Sequence, residues 1–212
     1  MADRTDDLTA RARIRDAAMA EFAARGVSGA TIRGIAQQAG VSPALVQHHF
    51  GTKEGLRAAC DAYVLDYLRA GVKEGIDGGQ IGEVEFLAAI YRSAPPVLRY
   101  LARALVDGSA AAAAVFDEIV ALTEQYLAGV PAQSDAHTRA VVFTAMRLGL
   151  TVLQEHVSRG LGTDMLSPEG SARVGLATLD VIAPQIIPDG AADQVRTGLA
   201  RYTREHQGEE ER

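Results

Sequence analysis

The stretch from Thr31 to Phe50, TIRGIAQQAGVSPALVQHHF, has the pattern of two short helices separated by a tight turn. Gly40 falls where the chain must turn sharply, and glycine adopts a positive φ without steric cost. Ser42 is a favoured N-cap and Pro43 suits the first helical position, so a second helix is predicted to begin there. Apolar residues recur at helical spacing on one face of the first helix, namely Ile32, Ile35, Ala36 and Ala39. This pattern is typical of a helix-turn-helix, which indicates duplex DNA as a partner.

The alternative is a helical hairpin that has no role in binding DNA, since glycine turns between helices are common. Four features within these twenty residues argue against it: the small Ala36, the turn glycine, the capping pair and the apolar positions. In the second helix, Val46 and Phe50 are predicted to face inward. The outer surface is then predicted to carry Pro43, Ala44, Gln47 and His48.

Composition excludes several classes of protein. The 212 residues are 48% hydrophobic and 23% charged, which is ordinary for a globular chain able to bury a sizeable core. Cys60 is the only cysteine, so no internal disulfide is possible and a reducing compartment is expected. The sequence suggests no signal peptide and no membrane span, and we expect a cytoplasmic protein without a metal or cofactor.

The charge is unevenly distributed along the chain. Residues 1–60 carry eight Arg or Lys against six Asp or Glu, a net +2, whereas residues 61–212 carry thirteen against twenty-one, a net −8. The basic part coincides with the helix-turn-helix. This modest excess of positive charge suits a protein that binds DNA as two copies through directed contacts. It argues against a protein that binds DNA without sequence specificity.

The rest of the chain is predicted to be helical, so the fold class is all-α. An amphipathic helix from Arg11 to Arg25 ends at Gly26, and Thr52 caps a long helix that runs over 53–73. We predict an N-terminal three-helix DNA-binding domain over 1–52 and a helical bundle over 53–212, with the helix 53–73 as the linker between them. Further helices are predicted at 83–93, 95–107, 110–128, 135–160, 168–183 and 190–206.

Two late segments are unusually apolar. The helix 140–157 is apolar almost all round, with a thin polar stripe at Thr144, Arg147, Thr151 and Gln154, and 171–183 is similar. A helix of this kind is buried on more than one side, either in the centre of the core or between the core and a second subunit. The second alternative predicts a four-helix dimer interface that includes Val142, Leu150, Leu153, Val157, Val174, Leu179 and Ile182.

The N-terminal motifs resemble those of the tetracycline-repressor (TetR) family of bacterial regulators. The resemblance covers about residues 11–60 and rests on Ile35-Ala36, the run Ala39-Gly40-Val41-Ser42, His49-Phe50 and Lys53-Glu54. It implies a homodimer that binds a palindromic operator through its N-terminal domain. It also implies that a helical domain binds a small-molecule effector, which usually releases the DNA of a repressor.

The resemblance assigns roles to matching positions. Ser42 would cap the recognition helix, whose outer residues lie in the major groove, and His49 and Lys53 would contact phosphate. Independently, Gln47 can bond adenine through two hydrogen bonds and Ala44 can contact a thymine methyl. The family often has tyrosine where Gln47 stands, which affects base preference. The predicted DNA-binding residues are Thr31, Arg33, Ser42, Pro43, Ala44, Gln47, His48, His49 and Lys53.

Some of these residues have other interpretations. His48 and His49 could be a metal pair, although adjacent residues do not share a helix face. His49 could instead be a partly buried histidine that packs near Phe50, and Lys53 a solvated lysine. Cys60 fits a small core residue better than a redox sensor.

The effector pocket is predicted only from residue type, because aromatic and flexible apolar residues line small-molecule sites. Arg147 could meet an anionic group there, although an ion pair within the chain would explain it equally. The candidates are Phe86, Ile90, Tyr100, Phe116, Phe143, Met146 and Arg147.

An enzyme and a protein-binding helical module are the two alternatives to a regulator. An enzyme lacks support, because the chain has no phosphate-binding glycine loop, no metal-spaced cluster and no nucleophile elbow, and Glu155-His156 are adjacent residues that point apart. A helical module whose helix-turn-helix contacts another protein is the remaining alternative. Salt-sensitive, sequence-dependent DNA binding would distinguish a regulator from both.

Overall fold

A computed structural model describes residues 2–72, 84–129, 132–186, 196–202 and 204 of the chain. These residues contain helices and no strand, so the predicted all-α fold is confirmed. A further helical segment occupies 196–202. The helices are α1 (Ala2–Gly29), α2 (Ile32–Ala39), α3 (Pro43–Phe50), α4 (Lys53–Val72), α5 (Val84–Val106), α6 (Ala110–Leu127), α7 (Ala136–Val152), α8 (Gln154–Leu161) and α9 (Pro168–Ile186).

The helices form two compact units that do not follow the order of the sequence. The first unit comprises Met1–Tyr67 and Pro96–Ala113, and the second comprises Leu68–Pro95 and Ala114–Arg212. The chain therefore passes from one unit to the other within α4, α5 and α6. Most of α4, predicted as a linker, belongs to the first unit.

The core of the first unit begins with the amphipathic stripe of α1, where Ile14, Ala18 and Phe22 are fully buried. Gly26 interrupts this helix at φ 68° and ψ 169°, as predicted from its position, although one more helical turn continues to Gly29. The stripe packs in a core that also buries Ile35, Val46, Leu56 and Val64. This core holds α2 and α3 in place.

Helix α5 differs from the prediction. We expected a break at Pro95-Pro96, but α5 continues through both prolines. Proline lacks a donor and crowds the preceding turn, yet its φ is helical, and a helix can continue where packing compensates for the lost hydrogen bonds. Ala94 and Val97 are buried on either side of the prolines. The boundary between the two units falls between Pro95 and Pro96, so the prolines mark a change of unit without ending the helix.

The predicted helix 135–160 is two helices. Leu153 leaves the helical conformation at φ −90° and ψ 17°, which separates α7 from α8. Asp135 caps the start of α7 by accepting a hydrogen bond from the Thr138 amide at 2.8 Å. No glycine or proline stands at the break, which is why the pattern of the sequence did not predict it.

In the second unit, α6 and α7 share an apolar cluster of Val120, Leu127 and Ala140, with Phe116 beside it. Among the described residues, no helix is both long and apolar enough to cross a bilayer. The glycine-rich stretch around 75–82 and part of the predicted helix 190–206 lie outside the described residues.

Candidate nucleic-acid interface

Helix α2 is defined by its two caps. The Oγ1 atom of Thr31 accepts a hydrogen bond from the Gly34 amide at 3.0 Å, which satisfies a free donor at the helix N-terminus. At the other end Gly40 adopts φ 65° and ψ 40°, and its amide donates to the last turn of the helix. This left-handed cap is the conformation that glycine favours, and it sets the sharp turn toward α3.

Helix α3 starts as the sequence predicts. The Ser42 hydroxyl accepts a hydrogen bond from the Leu45 amide at 3.2 Å, and Pro43 occupies the first turn. Val46 is fully buried, and the opposite side of the helix is consequently exposed. That exposed side carries Ser42, Pro43, Ala44, Gln47 and His48.

Three residues at the end of α3 and the start of α4 are partly buried. The His49 ring lies edge-on to the Phe50 ring, with centroids 6.1 Å apart. This contact agrees with the alternative that His49 is a partly buried histidine that packs near Phe50. Phe50 is half-buried beneath Arg11, whose guanidinium lies 5.5 Å from the ring centroid. The ammonium of Lys53 donates to the carbonyl oxygen of Ala30 at 3.2 Å. An ammonium has two further protons for a phosphate.

Most cations of this unit have a partner within the chain. Arg25 pairs with Glu21 at 3.5 Å, and Arg15 stacks over the Tyr63 ring at 3.5 Å. Arg57 lies 3.8 Å from Asp61. By contrast, Arg33 is exposed beside the capped start of α2 and has no intramolecular partner among the residues described. Arg33 therefore provides an exposed cation, and Thr31 marks the N-terminus of α2, where backbone amides favour an anion. Both precede the exposed side of α3 in the sequence.

A buried polar contact fixes α4 within the first unit. The Tyr100 hydroxyl donates to the Asp61 carboxylate at 2.5 Å, while its ring contacts the Phe22 ring at 6.2 Å. Burial and this hydrogen bond raise the pKa of Tyr100, so the hydroxyl keeps its proton. The neighbouring Cys60 is fully buried, and burial raises the pKa of its thiol to about 12. A thiol in this environment is inert, as expected for a core residue.

The second unit carries an apolar groove of about 290 Å³ between α7, α8 and α9. Its walls include Met146, Leu150, Val157, Val174 and Val181, and two arginines, Arg147 and Arg173, also line it. Beside the groove, Val142 and Leu153 are each half exposed, whereas Thr144 and Thr151 of the predicted polar stripe are buried. Helix α7 thus buries two threonines together with Ala140 and Leu148, and it also leaves large apolar side chains exposed, which is unusual for a surface helix.

The groove is lined by residues from both the predicted dimer interface and the predicted effector pocket. Leu150, Val157 and Val174 of the predicted dimer interface line it, and so do Met146 and Arg147 of the predicted pocket. Leu179 is buried inside the second unit, and the Ile182 side chain lies outside the described residues.

The other predicted pocket residues lie elsewhere. Tyr100 belongs to the first unit, and Phe116 packs beside the α6–α7 cluster. Phe143 is half-buried on α7, and the side chains of Phe86 and Ile90 lie outside the described residues. Within the described part of the chain, the seven residues predicted for the pocket do not line one cavity.

Two residues that organise the first unit, Arg13 and Arg103, are not predicted by the sequence pattern. Arg13 donates to carbonyls at the end of α2, and the Arg103 guanidinium covers Gly26, where an added Cβ would lie 2.7 Å from Nη2. Both contacts join residues far apart in the sequence. The only available signal was the glycine at the break, which leaves room for a neighbouring side chain.

Comparison with known families gives two matches along the chain. Residues 14–60 match the family model described as bacterial regulatory proteins, tetR family. Residues 93–186 match the model described as tetracyclin repressor-like, C-terminal domain. The two matches together cover about two thirds of the chain and include both α2–α3 and the grooved second unit.

Individual relatives agree with these models. The chain is 39% identical over 131 residues to the HTH-type transcriptional regulatory protein RaaS of Mycobacterium tuberculosis, covering 58% of each chain. It is 40% identical over 55 residues to the regulator BetI of Burkholderia thailandensis, covering 26% of this chain and 28% of BetI. The chain thus spans less than two thirds of the length of the curated relatives it matches.

A TetR-family regulator from Rhodococcus sp. of known crystal structure aligns with a TM-score of 0.49 at 25% identity. The alignment covers 68% of this chain and 86% of that one.

Proposed function

Because the chain belongs to the TetR family of DNA-binding transcriptional regulators, we propose that it is a homodimeric repressor that a small-molecule effector releases from a palindromic operator. The observation that carries the proposal is the exposed side of α3, where Gln47 and His48 stand beside the small Pro43 and Ala44. Ser42 caps this helix, and the buried Val46 anchors it in the core. Pro43, Ala44 and Gln47 of this side enter the major groove, and Arg33, Thr31 and Lys53 bind phosphate around it.

The exposed apolar surface around the groove supports a homodimer. Val142, Met146, Leu153 and Val181 are large apolar side chains that stand in solvent on α7, α9 and the α7–α8 junction. A two-fold axis places the same surface of a second copy on this one, so that each copy covers the other. The dimer then presents two recognition helices about 34 to 36 Å apart, which matches successive major grooves.

The proposed effector acts by selecting one arrangement of the dimer. A compound that binds better to an arrangement with the wrong spacing of the recognition helices shifts the population away from the DNA-competent one. Its influence is limited by its differential affinity for the two states. Since α4, α5 and α6 each run from one unit into the other, they provide the covalent route for such a change.

Substitution of the recognition residues separates base reading from phosphate binding. We expect the protein to select a family of palindromic duplexes from a random pool, and to bind them in a salt-dependent manner. Gln47→Ala should reduce discrimination at one base position by a factor of about ten or more. Lys53→Ala should weaken binding to all sequences alike. Fluorescence anisotropy titrations with the selected duplex and its single-base variants measure both effects.

Gln125→Ala is the matched control, because Gln125 is an exposed glutamine on α6 in the second unit. This variant should bind every duplex as the wild type does. A uniform loss from both Gln47→Ala and Lys53→Ala would contradict the assigned roles. If the wild type selects no sequence at all, the proposed function itself is wrong.

The effector is tested by its effect on DNA binding. We expect a compound that raises the thermal unfolding midpoint of the purified protein to lower its affinity for the selected duplex, since an allosteric effect is reciprocal. A library screened by thermal shift, followed by anisotropy titrations with each compound that binds, provides the measurement. The proposal fails if no binding compound changes the affinity for the duplex.

A further inference from the structure

The end of α2 leaves backbone carbonyls that the helix itself cannot satisfy. The last four carbonyls of any α-helix lack an intrahelical donor. Here the amide of Val41 reaches the Ala36 oxygen at 3.0 Å, and the amide of Gly40 reaches the Gln37 oxygen at 3.2 Å. The carbonyls of Ala39 and Gly40 follow at the turn itself, where the direction of α3 is set.

A side chain from α1 satisfies these two carbonyls. The Nη2 atom of Arg13 donates to the Ala39 oxygen and also to the Gly40 oxygen, the latter at 3.3 Å. A Cβ atom at Gly40 would lie only 3.0 Å from the same nitrogen, so the guanidinium rests directly on the turn. A cation at a helix C-terminus also interacts favourably with the helix dipole.

We propose that Arg13 is a positioning residue for DNA recognition: it ties the turn of the helix-turn-helix to α1 and thereby fixes the angle at which α3 enters the groove. Its guanidinium donates to carbonyl oxygens within the protein and does not contact phosphate. The inference rests on the proposed DNA-binding function and concerns a residue outside the recognition surface.

Arg33 provides the contrast that makes the inference testable. Both residues are exposed arginines of the first unit, and replacing either by alanine changes the net charge equally. Arg33 has no intramolecular partner among the described residues and stands at the start of α2, whereas Arg13 donates to two carbonyls at its end. Of these two arginines, only Arg33 is placed to bind phosphate and release counterions.

The experiment compares binding to the duplex selected by the wild type and to a scrambled duplex of equal length, over a series of salt concentrations. Arg13→Ala should lower affinity for the selected duplex by up to about tenfold, because without these hydrogen bonds the angle of α3 must be fixed on binding, and the free energy of the lost bonds sets the upper limit of that cost. Its affinity for the scrambled duplex and its salt dependence should match the wild type. Arg33→Ala should weaken binding to both duplexes and reduce the slope of log K against log salt by about 0.9 for each phosphate contact removed.

Arg13→Gln keeps the test informative if the alanine variant folds poorly. Its side chain is neutral, yet its amide can donate to one of the two carbonyls, so we expect a smaller loss of specific affinity with an unchanged salt slope. All variants are measured at a temperature where circular dichroism shows the wild-type helical content.

Three outcomes would overturn the inference. A reduced salt slope in Arg13→Gln or Arg13→Ala would identify Arg13 as a phosphate contact. Unchanged affinity for the selected duplex would mean that the turn holds its geometry without Arg13. Equal losses on both duplexes at an unchanged slope would indicate general loss of structure. Failure of the wild type to distinguish the two duplexes would instead overturn the proposed function, and it would be seen before any variant is compared.

Discussion

Replacing Gly170 by alanine should destabilise the second unit by about 3 kcal/mol, near the upper end of the cost of overpacking. Gly170 is buried in the first turn of α9, and an added Cβ would lie 2.0 Å from the carbonyl oxygen of Asp164. The same Cβ would lie 2.8 Å from the Cα atom of Met165. Both neighbours are backbone atoms, so no rotation of a side chain can relieve the contact.

The turn before α9 cannot easily move away, because hydrogen bonds hold it at several points. The Asp164 carboxylate accepts from the Leu166 amide at 2.9 Å, and the Asp164 carbonyl accepts from the Ser167 amide at 2.9 Å. The Ser167 hydroxyl accepts from the Gly170 amide at 3.1 Å as the cap of α9. A shift of α9 large enough to accept a methyl group would break part of this network and displace one wall of the groove.

Urea unfolding followed by far-ultraviolet circular dichroism measures the effect. Gly160→Ala is the matched control, because Gly160 lies within α8 and an added Cβ would meet nothing within 4 Å outside the backbone of its own helix. The control should be neutral or more stable by up to about 1 kcal/mol, since alanine favours a helix more than glycine does. Equal unfolding midpoints for the two variants would refute the close approach at Gly170.

The parts of the fold that could be predicted from the sequence are those set by neighbouring residues. The left-handed turn at Gly40, the cap at Ser42 and the start of α4 after Thr52 each depend on contacts within four residues. Short-range preferences of this kind are present in the residue types themselves. The helix-turn-helix can therefore be predicted from the sequence alone.

The features that escaped prediction depend on distant parts of the chain. The prolines at 95–96 stay helical where buried residues flank them, and Arg13 reaches a turn 26 residues further along. The break at Leu153 has no glycine or proline to mark it. Periodicity indicates which face of a helix is apolar, but it cannot indicate what covers that face. For this reason some residues predicted for the pocket and some predicted for the dimer interface line the same groove.

Substitution of Val181 tests whether a second copy of the chain covers this groove. Val181→Arg should convert the proposed dimer to a monomer and weaken binding to the selected duplex by about a hundredfold or more, because the second recognition helix no longer binds as part of the same molecule. Val181 is 76% exposed, so the substitution leaves the monomer core intact. The described residues that line the groove include two arginines and no acidic side chain, so a third cation buried in the interface would be desolvated beside like charges.

Val106→Arg is the matched control, since Val106 is 66% exposed on α5 in the first unit. Both variants add the same charge to an exposed valine. Light scattering coupled to size-exclusion chromatography should find a monomer for Val181→Arg and a dimer for both the wild type and Val106→Arg. A Val181→Arg protein that remains dimeric would place the interface elsewhere. The apolar face of α7, α8 and α9 would then need another occupant, and the effector would be the first to test, because Met146 and Arg147 line the groove.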